Sequence, residues 1–289
     1  MDLEKIEKIL ARIDTVPTLS VVATKLATVL QDKKSSAQEV ANIIKNDQAL
    51  TSKVLKLVNS AYYGFSQKIS TIRHATTILG FNMLTSIALS ITIFDTLKLG
   101  KEKEIFNPEE FWKHSIGVAI CSRLLAEKLL LKESETIFVA GLIHDIGKII
   151  EEQYLREEFL QIIEILKQEK ISILEAEKRV MGIDHTYIGS VVANSWQLPP
   201  ILIDTIKFHH FYSPSLNSKP QHLISTAIVH FADILVKTQL FGFSGDNIIP
   251  SLIKEYWLAL NIKKEEVENI IKQLPDELNK SLEMLDIIL

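Results

Sequence analysis

Cysteine occurs once in the 289 residues, as Cys121, so an internal disulfide and a disulfide scaffold are both excluded. Glycine and proline are sparse, at 10 and 8, which excludes collagen-like repeats and Pro/Gly-rich disorder. Basic excess is also missing. The 32 Lys and Arg against 36 Asp and Glu leave a net charge of −4, and without a local basic patch neither nucleic acid nor an anionic membrane surface is an expected partner. The start Met1-Asp2-Leu3-Glu4-Lys5 lacks the basic residues and apolar run of a secretory signal, so the expected location is the cytoplasm. Long uncharged runs are rare. One of them, Ala75 to Phe94, has the length of a membrane span. Thr76, Thr77, Asn82, Thr85, Ser86, Ser90 and Thr92 interrupt it, Gly80 breaks it, and Phe81, Leu84, Ala88 and Ile91 recur at steps of three and four, as on one stripe of a buried soluble helix.

What is present is apolar residue in quantity, 47%, enough to bury one large core or two ordinary ones. Its periodicity is helical almost throughout, and period-two alternation is hard to find, so the fold class is all-α. Five or so helices are expected in residues 1 to 98, one of them closing at the Ala61-Tyr62-Tyr63-Gly64 corner and another starting after Ser70 and Thr71. Lys98 to Pro108, with Gly100 and an Asn-Pro pair, makes the best internal boundary. Beyond it helical stretches are expected over Glu109 to Leu130, Glu135 to Ile150, Glu152 to Lys170, Ser172 to Met181, His185 to Trp196, Pro200 to Phe211 and Gln221 to Leu240. A loop at Gly242 to Pro250 then leads to two amphipathic helices.

The eight histidines carry information through their order. His114 is followed by His144-Asp145, His185, the doublet His209-His210 and Asp233, each falling on a separate expected helix. Imidazole and carboxylate without thiolate suit iron, manganese or another first-row metal, and in a helix bundle the ligands must come from several facing helices. Asp145 is the natural bridge between two ions. Glu110, one turn before His114, could bind metal or orient the imidazole. Lys148 shares the face of Asp145 and places a cation where a phosphate on the metals would need one, while Gly147 leaves room for a substrate. For His74, His222 and His230 a hydrogen-bonded place in the core is the expectation, with His230 close enough to Asp233 to bond near the site. The Tyr62-Tyr63-Gly64-Phe65 corner is expected to pack two helices rather than stack a nucleotide.

His114, His144-Asp145, His185, His209-His210 and Asp233 resemble the ligand set of the HD superfamily of metal-dependent phosphohydrolases. Val16-Pro17-Thr18-Leu19, Asn46-Asp47-Gln48-Ala49-Leu50, Lys56-Leu57-Val58-Asn59-Ser60-Ala61-Tyr62-Tyr63-Gly64, Phe111-Trp112-Lys113-His114-Ser115, Ala140 to Lys148 and Gly182-Ile183-Asp184-His185 further resemble the HDOD domain, the HD-related output domain of bacterial signalling proteins. The resemblance covers residues 12 to 212. It implies a helical subdomain over 12–98 and an HD-like core over 107–212, with helices from 213–289 completing that core and supplying Asp233. It also implies a regulatory module that binds a protein partner or small signalling ligand. Because the ligand set is complete, that module is expected to hold a divalent, dinuclear iron or manganese site, and a phosphohydrolase acting on a nucleotide or cyclic nucleotide stands as the alternative, with Asp145 and Lys148 as catalytic residues. Cyclic-di-GMP is disfavoured, since Phe211-Tyr212-Ser213-Pro214 replaces the Gly-Tyr-Pro that follows the double histidine in the related phosphodiesterases. No receiver, kinase or cyclase accompanies the domain, so input is expected in trans. The last 50 residues are expected to cap the bundle or, alternatively, to pair two subunits.

Overall fold

The computed structural model describes residues 3–31, 35–97, 107–211 and 220–288. Among these the chain forms seventeen helices and no strand. The first six are α1 (Leu3–Ile13), α2 (Val21–Gln31), α3 (Ala37–Lys45), α4 (Gln48–Val58), α5 (Ile72–Leu79) and α6 (Phe81–Thr96). Their starts follow side-chain capping: Ser36, Asp47 and Thr71 each accept a backbone N–H from the first turn of α3, α4 and α5. The expected boundary at Lys98 to Pro108 lies mostly outside the described residues.

α6 is buried all round from Leu84 to Phe94, not along one stripe. Its hydroxyls are satisfied within the protein: Thr85 donates to Phe81 O, Ser90 to Ser86 O, and Ser86 across to Glu135 O. Local bonding lets an uncharged helix with so many hydroxyls sit in a core, and no described helix is long and apolar enough to cross a membrane.

The second half holds α7 (Pro108–Lys128), α8 (Ser134–Ile143), α9 (Ile146–Tyr154), α10 (Arg156–Gln168), α11 (Ile173–Met181), α12 (His185–Ser195), α13 (Pro200–Phe208) and α14 (Leu223–Thr238). The stretch expected as one helix from Glu135 to Ile150 is two, broken at His144 and Asp145. Three helices rather than two end the chain: α15 (Lys254–Leu260), α16 (Lys264–Lys280) and α17 (Leu282–Ile288). α7 runs through the centre, packed by α8, α14, α16 and α17. The two halves interlock. α1 lies on α9, α11 and α12, Arg12 pairs with Glu158 at 2.6 Å, Trp196 Nε1 donates to Pro17 O, and α17 reaches back onto α4. At the Tyr62 corner, the rings of Tyr62 and Phe138 sandwich the Arg123 guanidinium at 5.1 and 5.5 Å, so the corner packs helices, as expected.

Candidate metal centre

Each histidine of the set is aimed by its own helix. Asn107 caps α7 by accepting the Glu109 N–H at 3.0 Å, Pro108 opens it, and His114 follows two turns in, almost fully buried. The break between α8 and α9 puts His144 and Asp145 side by side. Asp184 caps α12 through the Thr186 and Tyr187 N–H groups, making His185 its first residue. His209 ends α13, and Asp233 projects from the buried face of α14.

The outer nitrogens are tethered. His144 Nδ1 donates to Gly141 O at 2.7 Å and His209 Nδ1 to Ile206 O at 2.9 Å; carbonyls only accept, so each Nδ1 carries the proton and each Nε2 presents a lone pair inward. His185 Nδ1 lies 2.7 Å from Glu177 Oε2, which also accepts the His185 backbone N–H at 3.0 Å.

Inside, two groups of ligand atoms gather. Asp145, His185, His209 and His210 offer atoms all within 4.8 Å of one another, and His114, His144 and Asp233 do the same. Asp145 faces both: Oδ1 lies 3.3 Å from His185 Nε2 and 3.4 Å from His209 Nε2, while Oδ2 lies 3.3 Å from His144 Nε2. His114 Nε2 and Asp233 Oδ1 approach to 3.1 Å. The Nε2 atoms of His114, His144, His185 and His209, with Asp145 Oδ1 and Asp233 Oδ1, are buried without a hydrogen-bond partner. Orphaning so many polar atoms in one place costs about 1–3 kcal/mol each, and a cation among them satisfies them together. This buried His/Asp cluster could bind a metal.

Electrostatics favour ligand protonation states. Burial pushes His114 and His210 down and His209 down to about 4, so these imidazoles are neutral at pH 7. Burial opposes ionisation of Asp145, but the neighbouring His144 and Lys148 hold its carboxyl well below the ordinary range. Asp233 is likewise held down against burial, by Lys237 and His114. His185 differs. Burial disfavours its charge, yet Glu177 and Asp145 raise it to about 9. Glu177 is backed by buried Glu151, whose carboxyl is pushed well above its usual value by burial and by the Glu177 charge.

Three expectations are corrected here. Glu110 does not join the centre: its half-exposed carboxylate lies 3.6 Å from Lys113. Beside it Gly242 packs on the α7 backbone, where a Cβ would lie 2.5 Å from Glu110 O and 2.2 Å from His114 N. Gly147 leaves no space for a substrate, because a Cβ there would lie 1.9 Å from His185 O; the helix α12 backbone fills the gap. His74 is exposed rather than in the core. His222 pairs with Asp204 at 2.9 Å, and His230 donates from Nδ1 to His209 O while Nε2 accepts the Ile253 N–H. Lys148 does meet Asp145, at 2.6 Å from Oδ2, but it is fully buried there.

A cavity of about 360 Å³ opens beside the cluster, lined by His210, His230, Lys237, Ser172 and the segment from Asp246 to Ile253. Neither Glu177 nor Asp246 was expected from the sequence. Glu177 does carry a signal: it lies in the apolar stripe of α11 with Ile173, Ala176 and Val180, where an unpaired carboxylate would not be tolerated.

The model of the HDOD domain matches residues 16–212. A structure of an HDOD domain protein of unknown function from Geobacter sulfurreducens is 28% identical with a TM-score of 0.83, covering 98% of this chain and 97% of that one. A protein from Shewanella amazonensis, named as a proposed phosphohydrolase, shares the fold at 20% identity and TM-score 0.75, covering 97% and 98%. An uncharacterized protein of Treponema pallidum is 25% identical over 228 residues, 78% of this chain but 43% of its own length, and YuxH of Bacillus subtilis is 26% identical over 164 residues, 54% of this chain and 39% of its own. The chain thus spans less than half the length of these two curated relatives. With its matched residues covering more than half of the sequence, the chain belongs to the HDOD domain family.

Proposed function

We propose that the chain is a bacterial signalling module in which the HDOD fold holds a divalent-metal centre, with His114, His144 and Asp233 on one ion, His185, His209 and His210 on a second, and Asp145 between them. Iron and manganese suit this oxygen and imidazole set. The observation that carries the reading is the convergence of unpartnered, inward-facing Nε2 atoms around the two oxygens of Asp145. The partner is a protein or small signalling ligand, and the N-terminal helices offer surface rather than chemistry.

A second reading, a metal-dependent phosphohydrolase of nucleotides or cyclic nucleotides, draws support from the cavity that reaches His210. Bound ions would supply Lewis acidity toward a phosphoryl oxygen and lower the pKa of water. In this chain Lys148 holds Asp145 ionised and in place, being buried on Oδ2 and away from that cavity. That burial favours the signalling reading, because the cation expected to meet a phosphoryl group is already committed. Of the residues 211–214 that disfavour cyclic-di-GMP, 212–214 lie outside the described residues. The test is hydrolysis of generic phosphomonoesters and phosphodiesters by protein loaded with iron or manganese. Metal without turnover is the expected result, and turnover abolished by Asp145→Ala transfers the assignment to the hydrolase.

A further inference from the structure

The cavity beside the cluster has one cationic wall. Lys237 stands one turn after Asp233 on α14, with its side chain only 11% exposed. Its Nζ lies 3.3 Å from Asp246 Oδ1, and that carboxylate is only 6% exposed. Asp246 takes two further donors: Oδ1 accepts the Ile248 N–H at 2.8 Å and Oδ2 accepts the Ile173 N–H, at the start of α11, at 2.7 Å. Of these donors the Lys237 ammonium and the Ile173 N–H lie outside the segment that carries Asp246, and together they make an anion site filled by the protein's own side chain, whereas Ile248 belongs to that segment and its carbonyl also accepts from Lys237 Nζ at 3.3 Å.

The carboxylate arrives on a strap. After α14 the chain turns at Gly242 (φ +74°) against α7, donates the Phe243 N–H to Glu110 O, turns again at Gly245 (φ +111°), and ends where the Ile253 N–H meets His230. Its Asp246 and Ile248 line both the cavity at His210 and a second one, of about 380 Å³, lined also by Ile163, Leu166, Ile171 and Phe243. The strap is therefore fixed at both ends, with Asp246 holding its middle.

We propose that Lys237 is an anion-recognition subsite beside the metal centre and that Asp246 is its built-in competitor, so that a ligand bearing a second phosphate displaces Asp246 and releases the strap. The ligand class is a compound with two phosphate groups, one on the metals and one at Lys237. The inference rests on the metal reading above. Asp246 and Lys237 are not among the metal ligands, so substituting either one tests the second phosphate without removing a residue that would hold the ions.

The test is calorimetric titration of manganese-loaded protein with adenosine diphosphate and adenosine monophosphate. Asp246→Asn is expected to tighten the diphosphate about tenfold over the parent chain, by removing the competing closed state, and to leave the monophosphate unchanged. Adding Lys237→Gln to that variant returns the diphosphate to the parental value. Equal diphosphate affinity in parent and Asp246→Asn, including no binding by either, overturns the subsite, as does equal tightening of both nucleotides. Should Asp246→Asn fail to fold, hydrogen exchange on the parent chain decides: the diphosphate must speed exchange at 243–248 where the monophosphate does not, and unchanged exchange refutes the proposal. Metal content is measured in the same samples. Full metal with no discrimination defeats the subsite alone, whereas metal-free protein defeats the metal reading and the subsite with it.

Discussion

At the scale of single residues, the site depends on which nitrogen of each imidazole is tied down. Glu177 is the clearest case, since it fixes His185 from behind through both the ring and the backbone. Glu177→Gln is expected to weaken metal binding roughly 10- to 100-fold, the usual effect of removing a carboxylate behind a ligand histidine. It should also change the pH profile of the metal-free protein. His209, depressed to about 4 from an ordinary 6.5, contributes stability that is complete above pH 6.5 and drains as pH falls toward 4. His185, raised to about 9, contributes stability that is complete below pH 6.5 and is lost as pH rises through 9. Thermal melts of the metal-free parent should therefore weaken toward both acid and alkali, and Glu177→Gln should lose the alkaline limb and keep the acid one. Melts of identical alkaline slope would remove Glu177 from this role. His114, His144, Asp145, His185, His209, His210 and Asp233 were legible because residue type and order survive without coordinates. Glu110 misled because helical spacing fixes an angle about one helix but not where a long side chain on that face ends, here 3.6 Å from Lys113.

Helices fail to reveal their ends when they are buried on every side. α8 has apolar residues all round from Ile137 to Ile143, so periodicity carries no phase and the break at His144 left no trace in the pattern. Capped starts were far more legible: Thr71 and the Asn107-Pro108 pair mark α5 and α7 in the sequence, and each caps its helix in the structure. The contact between α9 and α12 sets the position of His185 relative to Asp145, and Gly147 faces Gly189 across it with 3.1 Å from a Gly189 Cβ to the Gly147 N. Gly147→Ala is expected to cost about 1–3 kcal/mol by forcing these helices apart. The same variant should lose metal, because His185 moves with α12. Denaturant unfolding and metal analysis of one preparation check both, and a variant of parental stability and metal content would show the crossing to be slack.

Across the whole molecule, all-α class followed from the sequence because helical periodicity leaves no room for sheet, and membership of the HDOD family followed from motifs spread over both halves. The interlocking of those halves did not. Arg12 on Glu158, Trp196 on Pro17 and α17 on α4 join positions far apart in the chain, where local patterns are silent. The cluster is likewise a product of the whole fold, drawing on α7, the α8–α9 break, α12, α13 and α14, so an ion bound there would act as a crosslink. Binding at 100 times Kd adds about 2.7 kcal/mol per site to the folded state. The most direct measurement is therefore metal content by elemental mass spectrometry on protein purified without chelator, paired with its melting temperature. Two divalent ions per chain are expected, both lost in Asp145→Ala with a lower melting temperature. Metal-free parent protein, or an Asp145→Ala variant that keeps its metal and its melting temperature, would contradict the centre.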